Sequence, residues 1–370
     1  EKPDVVIALL HAGRVDKEGE SNENFATALA DSVAGIDLIL YGHDHQQHAE
    51  QRVNPKGDSI FIINPANHLD RVSDVSITLH KKDGKVVSKR VEARFTELDA
   101  YDPDEEFMKQ FAPDATALEH FVKQPVVNLL TAIRTEDALF GFSDYLALIH
   151  DIQLTITGAK ISFAAPLSVT QTLPRGELTM GRMFAFYPYE NYLYVMKLSG
   201  QEIKDYLEYS YSHWVNQMKS ASDHILLLEE NADSSSRFKT KYPTFNFSSA
   251  AGIDYTVDVS KPAGQRVKIE KMSSGEPFLL DDIYTVALNS YRGNGGGGLL
   301  TKGAGIPKDQ LADRILWSTT KEVRTYMIDI LRSRGSVLPP LAARPNWHFV
   351  PDYWAESAIV ADRQFLFGKQ

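Results

Sequence analysis

The sequence of 370 residues contains no cysteine, and this absence removes several kinds of site from consideration. Disulfide bonds, thiolate nucleophiles and thiolate metal sites are excluded, whereas no cellular compartment is, because an exported protein does not need cysteine. Positive charge is also scarce, since 39 lysine and arginine residues face 49 aspartate and glutamate residues, for a formal net charge of −10. Polymeric nucleic acid, which a basic face binds along its phosphates, is therefore not an expected partner, whereas a small anion is compatible with a local positive site.

Long apolar runs are absent as well. No run approaches the ~20 residues that a transmembrane helix needs, and the first residues show no signal-peptide pattern. They read EKPDVVIALLHAG, which is typical of the interior of a folded domain. We therefore expect that sequence upstream of Glu1 belongs to the intact protein, and a natural N-terminus at this position is the alternative.

Length and patterning indicate two domains joined by a polar segment. Residues 4–10 (DVVIALL) and 38–41 (LILY) are predicted strands, and the continuous apolar run of the first is typical of a strand buried on both faces. A polar, helix-leaning segment at residues 100–123 is predicted to connect a domain at 1–99 with a domain at 124–370.

Local signals predict two further elements. Residues 73–98 are predicted to form a hairpin that turns at Lys82, Asp83 and Gly84. Ser199 is predicted to cap an amphipathic helix, because it precedes a run whose apolar residues fall on one side of a helix.

Histidines follow the two predicted strands of the first domain. His11 comes directly after the first strand, and His43 and His45 come after the second, where Gly42 permits a tight turn. Ligands of open α/β sheets bind at the carboxyl ends of strands, and imidazole suits zinc, manganese, iron and cobalt. The pattern therefore predicts a metal site, with hydrogen-bonded loop histidines as the alternative.

The stretches DVVIALLHAG and LILYGHDH resemble the last two metal motifs of the calcineurin-like metallophosphoesterases, in the variety found in periplasmic 5′-nucleotidases and 2′,3′-cyclic-nucleotide phosphodiesterases. The resemblance implies that His11 and His43 bind one divalent ion and His45 a second, the metals being Zn, Mn, Fe or Co in the intact protein. It also implies a partial four-layer α/β/β/α sandwich for residues 1–99. The family's Asp-x-His, Gly-Asp and Asn-His-Glu/Asp motifs precede these two motifs, and none of them is found upstream of His11 in this sequence, so we expect an incomplete site here and catalytic residues upstream of Glu1.

The second half resembles the nucleotide-binding C-terminal domain of the same family over nearly its whole length. The matching stretches are ISFAAPL, FYPYENYLYVMKLSGQEIKDYLEYS, YPTFNFSSAAGIDYTVDV and VALNSYRGNGGG. The resemblance implies a mixed α/β domain, so the chain as a whole is expected to combine α/β and α+β architecture. FAAPL and Tyr291 make the resemblance closer to the 2′,3′-cyclic phosphodiesterase/3′-nucleotidase branch than to the 5′-nucleotidase branch.

Four residues of this second domain are candidates for the substrate site. The resemblance implies that a nucleobase stacks between Phe245 and Tyr291, and a base stacked on an aromatic ring gains roughly 1–3 kcal/mol. Phe247 is the rival of Phe245 for this position. Asn191 is the candidate for the base edge, with a turn-capping asparagine as the alternative, and Arg292 is the candidate for phosphate or ribose. The glycine run that follows is interpreted as a conformationally permissive loop and not as a phosphate cradle.

Taken together, the resemblance implies that the intact protein hydrolyses nucleoside 2′,3′-cyclic phosphates and 3′-nucleotides at a two-metal centre, in the periplasm or outside the cell. We expect this chain alone to be inactive. A 5′-nucleotidase or UDP-sugar hydrolase is one alternative, and a catalytically silent nucleotide-binding module is another. Small nucleotides are the expected ligands, and the missing N-terminal segment of the same protein is the other expected partner.

Overall fold

The computed structural model describes residues 3–15, 23–229, 240–339 and 344–368. The chain divides into two compact units, Glu1–Ala112 and Pro113–Gln370, and each is described by itself. None of the helices in these ranges combines the length and the apolarity that crossing a bilayer requires.

The first unit contains a four-stranded sheet in the order β1-β2-β4-β3, with helix α1 against one face. β1, β2 and β4 are parallel, and β3 is antiparallel to β4. The carboxyl ends of the three parallel strands therefore lie at one edge of the sheet. The elements are β1 (Ile7–Leu10), α1 (Ala26–Ser32), β2 (Leu38–Tyr41), β3 (Gln47–Val53) and β4 (Ser59–Pro65).

The prediction that the first strand is buried on both faces is wrong for this structure. Leu9 is 83% exposed and Ile7 is 50% exposed, while Ala8 and Leu10 pack towards α1. The physical reason is the position of β1, which lies at the edge of the sheet and pairs only with β2. The two-stranded hairpin at residues 71–97 packs mainly against β4, so it leaves the face of β1 opposite α1 largely uncovered.

The hairpin itself is as predicted. β5 (Arg71–Lys82) and β6 (Lys85–Glu97) are antiparallel, and the turn between them places Asp83 and Gly84 at positive φ, 51° and 75°. Helix α2 (Glu105–Val122) follows, and the division between the two units falls within it. No residue of α2 is buried. The domain bounds given above remain a prediction.

The second unit is a mixed α/β domain around a five-stranded sheet in the order β13-β9-β16-β12-β17, with two three-stranded sheets and a short two-stranded pair. β9 and β16 are parallel and the other neighbours in the large sheet are antiparallel. The elements are β7 (Pro125–Leu129), β8 (Ile133–Arg134), α3 (Asp144–Thr157), β9 (Ile161–Ala164), β10 (Thr172–Leu173), β11 (Gly176–Thr179), α4 (Met180–Phe186), β12 (Leu193–Ser199), α5 (Gly200–Trp214), β13 (Ser249–Ala251), β14 (Ile253–Asp258), β15 (Val267–Met272), β16 (Ile283–Asn289), α6 (Ser290–Gly293), β17 (Ile315–Ser318), α7 (Val323–Ser333), β18 (Val337–Leu338), β19 (Trp347–Val350) and α8 (Asp352–Phe367).

The predicted cap of α5 is confirmed. The Ser199 side chain accepts a hydrogen bond from the Glu202 backbone N–H, and the Glu202 carboxylate accepts one from the Ser199 N–H. This reciprocal pair satisfies two backbone donors that a helix leaves unpaired at its first turn. The buried face of α5, which includes Trp214, then packs into the main core of the second unit.

Candidate functional site

Two of the three predicted metal ligands lie side by side at the carboxyl edge of the first unit's sheet. His11 follows β1 and His43 follows β2, and the Nε2 atom of His11 is 3.2 Å from the Nδ1 atom of His43. The other ring nitrogen of His43, Nε2, is 3.2 Å from the Glu23 carboxylate. Glu23 was not singled out from the sequence, because nothing in its local pattern indicates that it approaches His43.

This geometry fits two imidazoles on one ion. A ligating imidazole nitrogen lies about 2.0–2.1 Å from zinc, so two nitrogens at an angle of 90–110° on the same ion are about 2.9–3.4 Å apart. The observed 3.2 Å lies within that range. A carboxylate on the second nitrogen is also the usual way in which a ligating histidine is oriented. Within the described ranges, however, no group of three or more histidine or carboxylate side chains is arranged to hold an ion by itself.

The third predicted ligand lies beside a different strand. The Nδ1 atom of His45 is 3.2 Å from the side-chain nitrogen of Asn67, in the loop after β4. His43 and His45 both have positive φ, 93° and 59°, a conformation that costs a non-glycine residue about 1–3 kcal/mol. Such strain is typical of functional loops that their surroundings hold in place.

The Asp44 carboxylate, between these two histidines, keeps this loop in place. Its carboxylate accepts hydrogen bonds from the backbone N–H of Arg14 at 2.7 Å and of Gln46 at 3.1 Å, and from the buried Asn64 side chain at 2.7 Å. Asp44 therefore ties the loop that follows β1 and its own loop after β2 to the end of β4. The sequence gives no sign of this role, because the two hydrogen-bond partners outside its own loop, Arg14 and Asn64, are distant along the chain.

Gly13 explains why the loop after β1 can approach so closely. A Cβ atom at this position would lie 1.9 Å from the Asn24 side-chain oxygen and 2.9 Å from the Asp44 Cβ. Only glycine fits, because any side chain would push the first loop away from the second.

In the second unit, the candidate substrate residues gather at one edge of the five-stranded sheet. Tyr291 and Arg292 follow β16 directly in α6, and the start of β12 pairs with the end of β16, which brings Asn191 to the same edge. Phe245 precedes β13, whose first residue pairs with the last residue of β9. The chain order separates these residues widely, and the sheet topology brings them together.

Phe245 and Tyr291 are neighbours, but the rings are not parallel. Their centroids are 6.3 Å apart and their planes lie at 83°. Atoms in contact on both faces of a base would require ring planes roughly 7–8 Å apart. The pair is thus close to the spacing of a clamp, and one ring must turn before a base can stack between them. Tyr291 is 42% exposed and Phe245 is partly exposed, so both are reachable from solvent.

The local backbone shows which of the two candidate rings, Phe245 or Phe247, is accessible for base stacking. Thr244–Asn246 forms a short 3₁₀ turn and not a strand, so residues two apart do not share a face. Phe247 is buried and stacks on Trp214 with centroids 5.5 Å apart and planes at 8°. Phe247 is therefore a core residue, and Phe245 is the ring available at the surface.

Arg292 holds the aromatic site together. Its side chain is 3% exposed and donates to the Phe245 carbonyl at 2.7 Å, the Gly296 carbonyl at 2.7 Å and the Asn246 side-chain oxygen at 3.2 Å. The sequence assigned this residue to phosphate or ribose. In the structure both terminal nitrogens donate to the protein's own oxygens, so the immediate role of Arg292 is to join the Phe245 turn to the glycine run.

Asn191 is also engaged with its surroundings. Burial raises the pKa of the Tyr187 phenol to about 12, and hydrogen bonds with the side chains of Asn191 and Asn289 partly oppose this. The neighbouring Tyr192 exchanges two hydrogen bonds with Ser290, 2.7 Å and 3.1 Å long, one residue before Tyr291. The segment that carries Asn191 is therefore fixed against the segment that carries Tyr291.

The glycine run at residues 293–298 packs against the Tyr291 ring. A Cβ on Gly296 would lie 2.5 Å from a ring carbon of Tyr291, and a Cβ on Gly297, at φ 71°, would lie 2.2 Å from the Arg292 guanidinium. The run is thus a packing surface for Tyr291 and Arg292, in agreement with the interpretation as a permissive loop.

A family model matches the part of the chain that contains this second site. The family model described as "5′-nucleotidase, C-terminal domain" matches residues 131–302, a range that contains Asn191, Phe245, Tyr291 and Arg292. A crystal structure of a 5′-nucleotidase candidate from Staphylococcus aureus superposes with a TM-score of 0.68 over 94% of this chain and 64% of its own, at 21% identity. This likeness shows that the fold is shared.

Curated relatives match nearly the whole chain. The trifunctional nucleotide phosphoesterase protein YfkN of Bacillus subtilis is 25% identical over 95% of this chain and 26% of its own length. The 2′,3′-cyclic-nucleotide 2′-phosphodiesterases/3′-nucleotidases of Haemophilus influenzae and Salmonella typhimurium are 26% and 25% identical over 94% of this chain, which spans 58% and 59% of their lengths. Residues 131–302 therefore match the C-terminal domain of 5′-nucleotidases, and the chain spans less than two thirds of the length of these curated relatives.

Proposed function

We propose that the protein to which this chain belongs hydrolyses nucleoside 2′,3′-cyclic phosphates and 3′-nucleotides, and that Phe245 and Tyr291 bind the base. The observation that carries the proposal is the pair of solvent-accessible rings 6.3 Å apart, held in register by the buried Arg292. Two stacks on a base contribute roughly 1–3 kcal/mol each and make little demand on which base is present. Such a site selects nucleotides as a class.

His11, His43 and His45 are the residues of this chain that would hold divalent metal ions. Bound ions of this kind supply Lewis acidity and an activated water to phosphate ester hydrolysis. Glu23 accepts a hydrogen bond from His43 Nε2, which leaves the Nδ1 lone pair of His43 available to an ion, and the 3.2 Å between this Nδ1 and His11 Nε2 is a spacing that two nitrogens on one ion can have. Asp44 keeps the two loops in register through its three hydrogen bonds. Zn, Mn, Fe and Co all suit this donor set.

We further propose that the intact protein has a segment upstream of Glu1 that completes the metal site and carries the catalytic residues. The exposed Leu9 and Ile7 support this, because an apolar edge strand normally pairs or is covered. The shorter length of this chain relative to its curated relatives is also compatible with it. On this proposal the chain by itself binds nucleosides and hydrolyses nucleotides slowly or not at all. Periplasmic or secreted location belongs to the same proposal.

The test is a substrate panel on the full-length gene product, with 2′,3′-cAMP, 3′-AMP, 5′-AMP and UDP-glucose assayed side by side in Mn²⁺, Zn²⁺ or Co²⁺. The proposal expects kcat/KM for the first two to exceed that for the last two. Preference for 5′-AMP or UDP-glucose would instead establish the alternative hydrolase. Adenosine binding without hydrolysis of any of the four would identify a silent nucleotide-binding module, for which the absence of clustered metal ligands among the described residues is the favouring observation.

A further inference from the structure

The outer strand β3 carries three ionisable side chains on one face. His48, Glu50 and Arg52 alternate with exposed residues along the strand, so they share a face of the sheet. Glu50 pairs in register with Ile62 of β4, which packs against α1, so this face is the one that α1 covers. The Glu50 side chain is 23% exposed. A carboxylate in such a half-buried position needs partners of opposite charge.

Arg14 is the partner that connects Glu50 to the candidate metal site. Its Nη2 atom is 3.2 Å and 3.3 Å from the two Glu50 carboxylate oxygens, and its Nε atom is 3.4 Å from one of them. Arg14 belongs to the loop after β1 that also carries His11. Its backbone N–H donates to Asp44 at 2.7 Å, and its carbonyl accepts from the Thr27 N–H at 3.0 Å. Arg14 is therefore held at both of its backbone polar groups and at its side chain.

The Glu50 carboxylate is itself fixed by groups on its own strand. The Arg52 guanidinium donates to it at 3.4 Å, and His48 Nε2 lies 3.3 Å from it. Arg52 in turn donates two hydrogen bonds to Asp31 on α1, at 2.6 Å and 2.7 Å. Burial would raise the pKa of Glu50, but hydrogen bonds and positive charge from His48 and Arg14 hold this pKa below its usual range. Glu50 therefore presents a fixed negative charge to Arg14 at neutral pH.

The position of the loop after β1 matters because the predicted metal ligands stand on different loops. His11 lies on this loop and His43 on the next, with 3.2 Å between the facing nitrogens, a spacing that two nitrogens on one ion can have. A metal ligand must be held within about 0.5 Å of its productive position. A contact that fixes Arg14 therefore limits how far His11 can move away from His43.

We propose that Glu50 is a positioning residue that acts through Arg14 and holds His11 at ligating distance from His43. This inference rests on the metal-binding role proposed above for the two histidines. It goes beyond that role by extending the support of the metal site to β3, a strand that carries none of the predicted ligands.

The first test measures Mn²⁺ binding to the full-length gene product by isothermal titration calorimetry. Losing a group that orients a ligand directly weakens metal binding about 10- to 100-fold, and Glu50 acts one residue further away, so Glu50→Gln should weaken it about three- to tenfold. Arg14→Gln should have the same effect. The double variant should be no weaker than either single variant, because the two residues act as one unit.

Asp37→Asn is the matched control for this measurement. Its carboxylate is 17% exposed and pairs with Lys89, but it holds the other end of β1 by accepting from the Val6 N–H at 2.9 Å. Asp37→Asn should lower the melting temperature and leave the Mn²⁺ affinity unchanged.

A second measurement uses this chain without metal. Long-range ¹H–¹⁵N NMR spectra of the imidazole rings report the contact between His11 Nε2 and His43 Nδ1. Glu50→Gln and Arg14→Gln should both shift the His11 ring nitrogens, whereas Asp37→Asn should not.

The outcomes separate the two proposals. A Mn²⁺ affinity that Glu50→Gln leaves unchanged, or a loss of affinity that Asp37→Asn reproduces, would overturn this inference alone. A full-length protein that binds no Mn²⁺ before any substitution would overturn the proposed metal-binding role, and this inference with it.

Discussion

Replacing Arg292 by methionine distinguishes between two roles of the Arg292 side chain, which are positioning the aromatic rings and contacting the substrate. The substitution keeps a long side chain and removes the donors to the Phe245 carbonyl, the Gly296 carbonyl and the Asn246 side chain. A buried acceptor left without its donor costs about 1–3 kcal/mol. These three acceptors are partly buried and can regain some water, so the lower value applies to each, and the expected loss is about 3 kcal/mol in total.

Two assays measure the effect of Arg292→Met, one of stability and one of adenosine binding. For a domain of this size, each kcal/mol shifts the melting temperature by roughly 2–4 °C, so differential scanning calorimetry should show a fall of roughly 6–12 °C for Arg292→Met. Adenosine affinity should fall by about tenfold or more, because both stacking rings lose their common support. Arg292→Lys retains the charge but offers a single nitrogen, so its melting temperature and adenosine affinity should lie between those of the unchanged protein and of Arg292→Met.

The comparison of adenosine with 3′-AMP decides the role. If Arg292 only positions the rings, the fold-loss of affinity is the same for both ligands, since adenosine has no phosphate. A loss confined to 3′-AMP, with the melting temperature unchanged, would show that Arg292 contacts phosphate and that the assignment from its hydrogen bonds is mistaken.

Other predictions concern stability, packing and metal binding. Burial lowers the pKa of His150 from 6.5 to about 3, so near pH 5 the unfolded chain binds a proton that the folded chain does not bind. The free energy of unfolding should therefore fall by about 2 kcal/mol between pH 7 and pH 5. His150→Gln should abolish that part of the pH dependence when the free energy of unfolding is measured in urea. Gly296→Ala places a methyl group against Tyr291 and should weaken adenosine binding about fivefold or more, so equal calorimetric affinity would contradict the packing argument. Glu23→Gln should lower the Mn²⁺ affinity of the intact protein about 10- to 100-fold, whereas His48→Ala should not change it; equal effects of the two would rule out the orienting role of Glu23.

The elements that the sequence predicted well depend on neighbours along the chain. The hairpin at Asp83 and Gly84 follows from residues that tolerate positive φ, and the cap at Ser199 follows from a residue three positions later. Both signals are local, so no knowledge of the remaining fold is needed to interpret them.

Burial was harder to predict, because it depends on what covers an element. The run that ends in Leu9 has the composition of a buried strand, yet its exposure is set by its place at the sheet edge. The choice between Phe245 and Phe247 was open for a similar reason, since a 3₁₀ turn replaces the strand period on which the comparison depended.

The candidate site shows the same division. The residue types pointed to chain segments that are far apart in sequence, and the structure brings Asn191, Phe245 and Tyr291 to one edge of a sheet. The supporting partners could not be found in advance, because the hydrogen bonds of Arg292 and Asp44 join segments distant in sequence.

A crystal structure of this chain with adenosine or 3′-AMP tests the central claim most directly. The account predicts the base between Phe245 and Tyr291, with the two ring planes turned parallel and the edge-to-face packing of the free protein broken. A nucleoside bound elsewhere, with these two rings still at right angles, would contradict it.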